Sequence, residues 1–321
     1  MKILVTGAAG FVGSHLVRGL AEGCRGAAVL ATDTALPPGS VTDYWAPFSG
    51  QISTAAFDVT DEDAVAATMA SFQPTHVVHA AALTPSLQQE TDEPERVVAV
   101  NVGGTAAIVG AATRIPGVQR IVVVSSGGVW GSTQGLDRPI DEDVVPCPET
   151  LYGITKVAAE GIAIRIGALR GVSTVAVRLA SVYGAMERPT DTRQRMSLIH
   201  RLATRSGATT ASTADIVRDW IHADDVAKAL AGLLTVPSLS SRLYNIGSGE
   251  AVGWCRIVEA FQMEGRPVRL AGDGESADVT ATPADTRPVF SITRLVADTG
   301  FRPRSIESGI ADLLRQMHLS A

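Results

Sequence analysis

The 321 residues are 45% hydrophobic and 19% charged, which excludes an intrinsically disordered chain and leaves room for a full sheet plus a smaller domain. A net charge of −6 without any block of Lys or Arg excludes the electrostatic footprint of a nucleic-acid binder, so small-molecule partners are expected. The scattered Cys24, Cys147 and Cys255 exclude a disulfide framework and a cysteine-ligated zinc site, and fit a reducing cytoplasm.

The opening stretch, Met1-Lys2-Ile3-Leu4-Val5-Thr6-Gly7, is too short an apolar run for a signal peptide and reads as a strand over 2–6 entering a turn. A helix over 11–22 follows, then a strand over 27–32 and a helix over 61–72. Asp61 is the expected N-cap of that second helix, with Glu62 and Asp63 complementing its dipole. Strands over 75–79, 119–125 and 173–179 alternate with helices over 95–113 and 152–169, the pattern of βαβ units around a parallel sheet. Past Leu179 the periodicity weakens. Residues 183–214 are rich in Arg, Thr and Ser, with helical patterning only over 196–205, and read as the start of a substrate-capping region. A helix over 224–234, a strand over 242–246 and helices over 253–263 and 306–317 complete the chain. No internal repeat is present, and no apolar run is long enough to cross a bilayer.

The segment Thr6-Gly7-Ala8-Ala9-Gly10-Phe11-Val12-Gly13 falls where the first strand turns into the first helix. Glycines there permit a tight turn and let the backbone approach a pyrophosphate resting on the helix N-terminus. The spacing is Gly-x-x-Gly-x-x-Gly. It is matched by Asp33 at the end of the second strand, about 20 residues on, where an acid accepts hydrogen bonds from ribose hydroxyls. Asp33 would repel a 2′-phosphate and no arginine immediately follows it, so the expected cofactor is NAD. The expected fold class is α/β. A Rossmann-type doubly wound parallel sheet comprises 1–178, with 214–240 returning to it, and a smaller C-terminal α/β substrate-binding lobe comprises 179–213 and 241–321.

Further signatures follow in order: His79-Ala80-Ala81-Ala82, Asn101-Val102-Gly103-Gly104-Thr105, Ser125-Ser126-Gly127-Gly128-Val129-Trp130-Gly131 and Tyr152-Gly153-Ile154-Thr155-Lys156. Residues 178–184, Arg218-Asp219-Trp220-Ile221-His222 and Asn245-Ile246-Gly247-Ser248-Gly249 extend the series. Together they resemble the extended short-chain dehydrogenase/reductase superfamily, the NAD-dependent epimerase/dehydratase family, and within it UDP-glucose 4-epimerases, over nearly the whole chain. The resemblance implies catalytic roles for Ser126, Tyr152 and Lys156. It implies cofactor contacts from Gly7, Gly10, Phe11, Val12, Gly13, Asp33, Asp58, Val59, Ala80, Ala81, Ala82 and Asn101, as well as Tyr152 and Lys156. For substrate it implies Thr84, Ser126, Ser181, Arg188, Arg218 and Arg287, and for assembly a homodimer through 95–113 and 152–169. Simpler readings stay open: Asp58 as a strand-end acid, Ala80 and Ala81 as core filler, Asn101 as a backbone brace. The histidines show no paired helical spacing, so no metal is expected.

Tyr152 and Lys156, four apart on a helix, project from one face. An ammonium there favours tyrosinate, so Tyr152 takes a proton from a substrate hydroxyl as hydride leaves for the nicotinamide. By the resemblance, Ser126 hydrogen-bonds the same oxygen. Three departures stand out: Trp130 replaces the family's usual tyrosine, Ser181 replaces an asparagine, and Gly127 and Gly128 stand where sugar-nucleotide 4,6-dehydratases carry acids. Without an acid to protonate a leaving hydroxyl, dehydration is disfavoured. The expected activity is therefore NAD-dependent oxidation or epimerisation at a sugar hydroxyl, foremost of a nucleotide sugar. The alternatives are dehydrogenation of a free sugar acid or polyol, for which Arg188, Arg193 or Arg195 could bind the carboxylate, and a non-catalytic NAD-binding regulator, against which the intact Ser126, Tyr152 and Lys156 argue.

Overall fold

The computed structural model describes residues 1–131, 138–190, 196–214 and 216–318. Seven strands form its main sheet: β1 (Lys2–Thr6), β2 (Ala28–Asp33), β3 (Ile52–Ala56), β4 (His76–His79), β5 (Arg120–Ser126), β6 (Ser173–Leu179) and β7 (Leu243–Ile246). They lie in the order β7-β6-β5-β4-β1-β2-β3, and every pairing is parallel. The central strands read as apolar runs because helices cover both faces. Alternation along β1 divides its side chains between two cores: Ile3 and Val5 pack with Leu16, Leu20, Val226 and Leu230, and Leu4 packs with Val65, Met69, Ile108 and Val123 on the opposite face. Each such buried aliphatic contributes about 1.5–3 kcal/mol relative to exposure.

Asp61 caps the helix Glu62–Phe72 as expected, accepting from the Ala64 N–H at 3.0 Å. Elsewhere the local structure differs from the sequence reading. The strand β3 carried no clear signal, because it is a sheet edge whose Ile-Ser-Thr-Ala-Ala sequence has no fully buried residue. The helix expected over 95–113 is three pieces, Pro94–Val98, a π-helical turn Ala99–Gly103, and Gly104–Ala112; such turns recur at functional sites.

The strand over 242–246, assigned from sequence to the smaller lobe, extends the main sheet instead. The outer edge of β6 offers an unpaired ladder, and Tyr244, Asn245 and Ile246 are fully buried against it. The helix Ala223–Thr235 packs on the helix Phe11–Gly23. A second core of Tyr183, Leu198, Leu202, Trp254, Phe261 and Leu313 builds the smaller lobe, braced by short strand pairs such as Thr209–Ala211 with Val268–Leu270. Among the described residues, no helix is long and apolar enough to cross a membrane, and no cluster of His, Cys, Asp or Glu could hold a metal ion. Strand order reverses between β1 and β4, which places a ligand crevice beyond their carboxyl ends.

Candidate active site

At that crevice lies a cleft of about 480 Å³, lined by Gly7, Gly10, Phe11, Val12, Gly13, Asp33, Asp58, Val59, Ala80, Ala81 and Ala82. At two of its three glycines the turn after β1 has no room for a side chain. Gly7 has φ +66°, and a Cβ there would meet Ala81 Cα at 2.7 Å; a Cβ on Gly13 would lie 1.9 Å from the Gly7 carbonyl oxygen. No side chain caps the helix Phe11–Gly23, so its positive end faces the cleft. Asp33 Oδ2 accepts from the Ala9 N–H at 2.9 Å and Oδ1 from the Thr34 N–H at 2.8 Å. Oδ1 also accepts from the Thr34 hydroxyl, and Oδ2 keeps a further lone-pair direction for a ribose hydroxyl.

Asp58 is exposed and its Oδ1 accepts from the N–H and hydroxyl of Thr60, a local turn that leaves the residue on the cleft wall. Asn101 stands apart from the cleft's lining. Its Oδ1 accepts from the Leu83 N–H at 2.7 Å, and its Nδ2 donates to the Leu83 carbonyl and to Thr155 Oγ1. With the whole amide engaged, Asn101 braces the segment after β4 against the helix Leu151–Arg170. Thr84 and Arg188, expected beside the substrate, also line the dinucleotide cleft; the chain after β6 crosses over the glycine turn, where Arg188 Nη2 donates to the Ala9 carbonyl. Arg193 and Arg195 lie outside the described residues.

The three catalytic candidates come together at the ends of β5 and the helix Leu151–Arg170. Ser126 Oγ accepts from the Gly128 N–H at 3.1 Å. A Cβ on Gly128 would lie 3.5 Å from both Ser126 Oγ and Tyr152 Cδ1, so the serine hydroxyl and the tyrosine ring flank the same backbone. Thr150 caps the helix through the Gly153 N–H at 3.1 Å. A Cβ on Gly153 would meet the Gly128 carbonyl at 2.4 Å, and this close approach seats Tyr152. One turn on, the buried Lys156 donates from Nζ to the Val124 carbonyl at 2.8 Å and lies 5.8 Å from the Tyr152 ring centre. Burial lowers its pKa to about 8, against the opposing pull of Glu160. That carboxylate is shared by Arg178 at 2.8 Å and Ser125 at 2.5 Å. His79 is no rival base. Burial, then the Lys156 charge, lowers its pKa to about 3, and its ring nitrogens are bonded to Thr6 and Thr105.

Beyond Ser126 opens a larger cavity of about 910 Å³, whose walls include Ser126, Ser181, Arg218 and Arg287. Arg218 donates from Nε to the Asp285 carbonyl and from Nη2 to Asp285 Oδ1 at 3.0 Å. Arg287 Nη1 donates to the carbonyls of Ala284 and Thr286. Sequence reasoning missed Glu149, Arg138 and Phe290 on the walls, and Asp285 behind Arg218. No local pattern announces the last pair, which is 67 residues apart. Trp130 is buried under Phe290, ring centres 5.1 Å apart, so it shapes the cavity through that neighbour. A Cβ on Gly127 would lie 2.6 Å from Phe290 Cζ. A side chain at 127 would displace Phe290.

The model of the NAD dependent epimerase/dehydratase family matches residues 3–247. A UDP-glucose 4-epimerase of Mycolicibacterium smegmatis is 32% identical over 254 residues, covering 78% of each chain. A dTDP-L-rhamnose 4-epimerase of Burkholderia thailandensis is 28% identical over 97% of this chain and 93% of its own. Among solved structures, the Thermus thermophilus UDP-glucose 4-epimerase in complex with NAD superposes with a TM-score of 0.77 at 26% identity, covering 99% of both chains.

Proposed function

Because the chain belongs to the NAD dependent epimerase/dehydratase family, we propose that it oxidises or epimerises a hydroxyl-bearing carbon of a nucleotide sugar, with Tyr152 as general base. The observation that carries this reading is the meeting of Ser126 and Tyr152 across Gly128, above buried Lys156. NAD, the family's cofactor, fits the glycine turn and Asp33 and supplies a hydride acceptor. The residues of the chain do the rest. Ser126 donates to the reacting oxygen and fixes its direction; Tyr152 removes the hydroxyl proton as the C–H bond breaks; Lys156, cationic below about pH 8, stabilises the tyrosinate. Gly127 and Gly128 offer no acid to a departing hydroxyl, which favours return of hydride over elimination.

The substrate class rests on the cavity. At about 910 Å³ it is at the upper end of small-molecule sites, more than a lone sugar acid needs, and Arg218 and Arg287 are suited to a diphosphate. With NAD present, UDP-sugars are expected to raise the melting temperature, and the rise to disappear in Arg218→Ala, because a ligand that binds the native state stabilises it. Stabilisation by aldonates or uronates alone would overturn the nucleotide-sugar reading.

The proposal includes a homodimer through the helices Pro94–Val98, Gly104–Ala112 and Leu151–Arg170, on which Val98 and Ile154 are 43% and 50% exposed. Light scattering at micromolar concentration is expected to give the mass of two chains; a monomer's mass would count against it.

A further inference from the structure

Arg188 is an arginine with one end fastened and the other unsatisfied. Nη2 donates to the Ala9 carbonyl inside the glycine turn, while Nη1 is buried and has no hydrogen-bond partner among the described residues. A buried cationic donor left without an acceptor is costly, and native structures tolerate one where a ligand completes it. The carboxylate next along the chain is turned elsewhere: Glu187 accepts from the N–H and hydroxyl of Ser197 at 2.8 and 2.6 Å. Asp33 holds Ala9 from its other side, through the Ala9 N–H. The two side chains thus bracket one residue of the turn, a carboxylate suited to ribose hydroxyls on one flank and a guanidinium suited to phosphate oxygens on the other.

We propose that Arg188 is a clamp for the pyrophosphate of NAD, contributed by the segment that leads into the substrate lobe. The inference rests on the reading of the cleft as the NAD site. Arg188 lines that cleft, beside the end of the helix Phe11–Gly23 toward which an anion is drawn. A turn of the guanidinium toward the cleft gives Nη1 the phosphate oxygens it lacks, adding a paired, charge-assisted contact to the backbone cradle. Seven positions earlier the same segment places Ser181 on the substrate cavity. One stretch of chain thus lines both the dinucleotide cleft and the substrate cavity.

Isothermal titration of nucleotide-free protein tests this. Arg188→Met is expected to weaken NAD and ADP-ribose alike, by about tenfold or more, to leave adenosine unchanged, and to leave the ligand-free melting temperature unchanged or raised, because an unsatisfied buried donor has been removed. Equal NAD affinity in wild type and variant overturns the clamp and leaves the NAD site standing. An equal loss for adenosine, with a lowered melting temperature, also overturns it, since that marks a merely structural arginine. Failure of the wild type to bind NAD overturns the cofactor reading and the clamp with it.

Discussion

Replacing Tyr152 by phenylalanine is expected to lower turnover by about three orders of magnitude, within the range for removing a general acid–base group, while NAD binding holds. Phenylalanine keeps the ring, and with it the packing on Gly128 and the distance to Lys156; only the proton-carrying hydroxyl goes. The size of the loss follows from the lack of a substitute. The buried imidazole of His79 has its nitrogens engaged by Thr6 and Thr105 and stays neutral. Lys156 Nζ is directed to the Val124 carbonyl. Initial rates with the sugar nucleotide that gives the largest thermal shift, alongside NAD calorimetry on the same preparation, check the expectation. Near-normal turnover would remove Tyr152 from the mechanism and point to Glu149, the carboxylate on the cavity wall, as the base. Loss of NAD binding together with turnover would mean that the hydroxyl is part of the cofactor site instead.

Much of the candidate site was legible because its parts are local. A glycine turn between a strand and a helix, an acid at the end of the next strand, and a tyrosine and lysine one helical turn apart each lie within a few residues, and backbone periodicity fixes where their side chains go. What sequence could not supply is what depends on distant segments meeting. Asn101 reads equally as a cofactor contact or a backbone brace until the Leu83 and Thr155 groups bonded to its amide are in view. Arg188 reads from sequence as a substrate residue, and only the chain crossing the glycine turn after β6 puts it on the dinucleotide cleft. The same holds for the fold. The buried run Leu243–Ile246 is a strand in either lobe by pattern alone, and only the open edge of β6 decides which. The π-helical turn at Ala99–Gly103 interrupts an apolar pattern that a continuous helix would satisfy equally well.

The glycine motif gives a sharper test, because its three members look equivalent in sequence and are not equivalent in space. Gly13→Ala should cost about 3 kcal/mol or more in stability, the upper range for overpacking a rigid site, whereas Gly10→Ala should stay within about 1 kcal/mol. A Cβ on Gly13 would sit 1.9 Å from the Gly7 carbonyl oxygen and 3.0 Å from Ala8 Cα; both obstacles are backbone, so neither can swing aside. Gly7 cannot retreat either, since its own Cβ position is already 2.7 Å from the Ala81 backbone across the β1–β4 junction. At Gly10 the nearest atom is 3.2 Å away, and the backbone there, φ −69° and ψ 171°, is ordinary for any residue. Melting temperatures of the ligand-free proteins separate the two without involving NAD, so a side chain merely obstructing the pyrophosphate cannot mimic the result. Equal destabilisation by both alanines would show that the turn is held by something other than the Gly13 approach to Gly7. A stable Gly13→Ala that still binds NAD would show that this backbone can move apart, and that the tight turn is not what shapes the cofactor cleft.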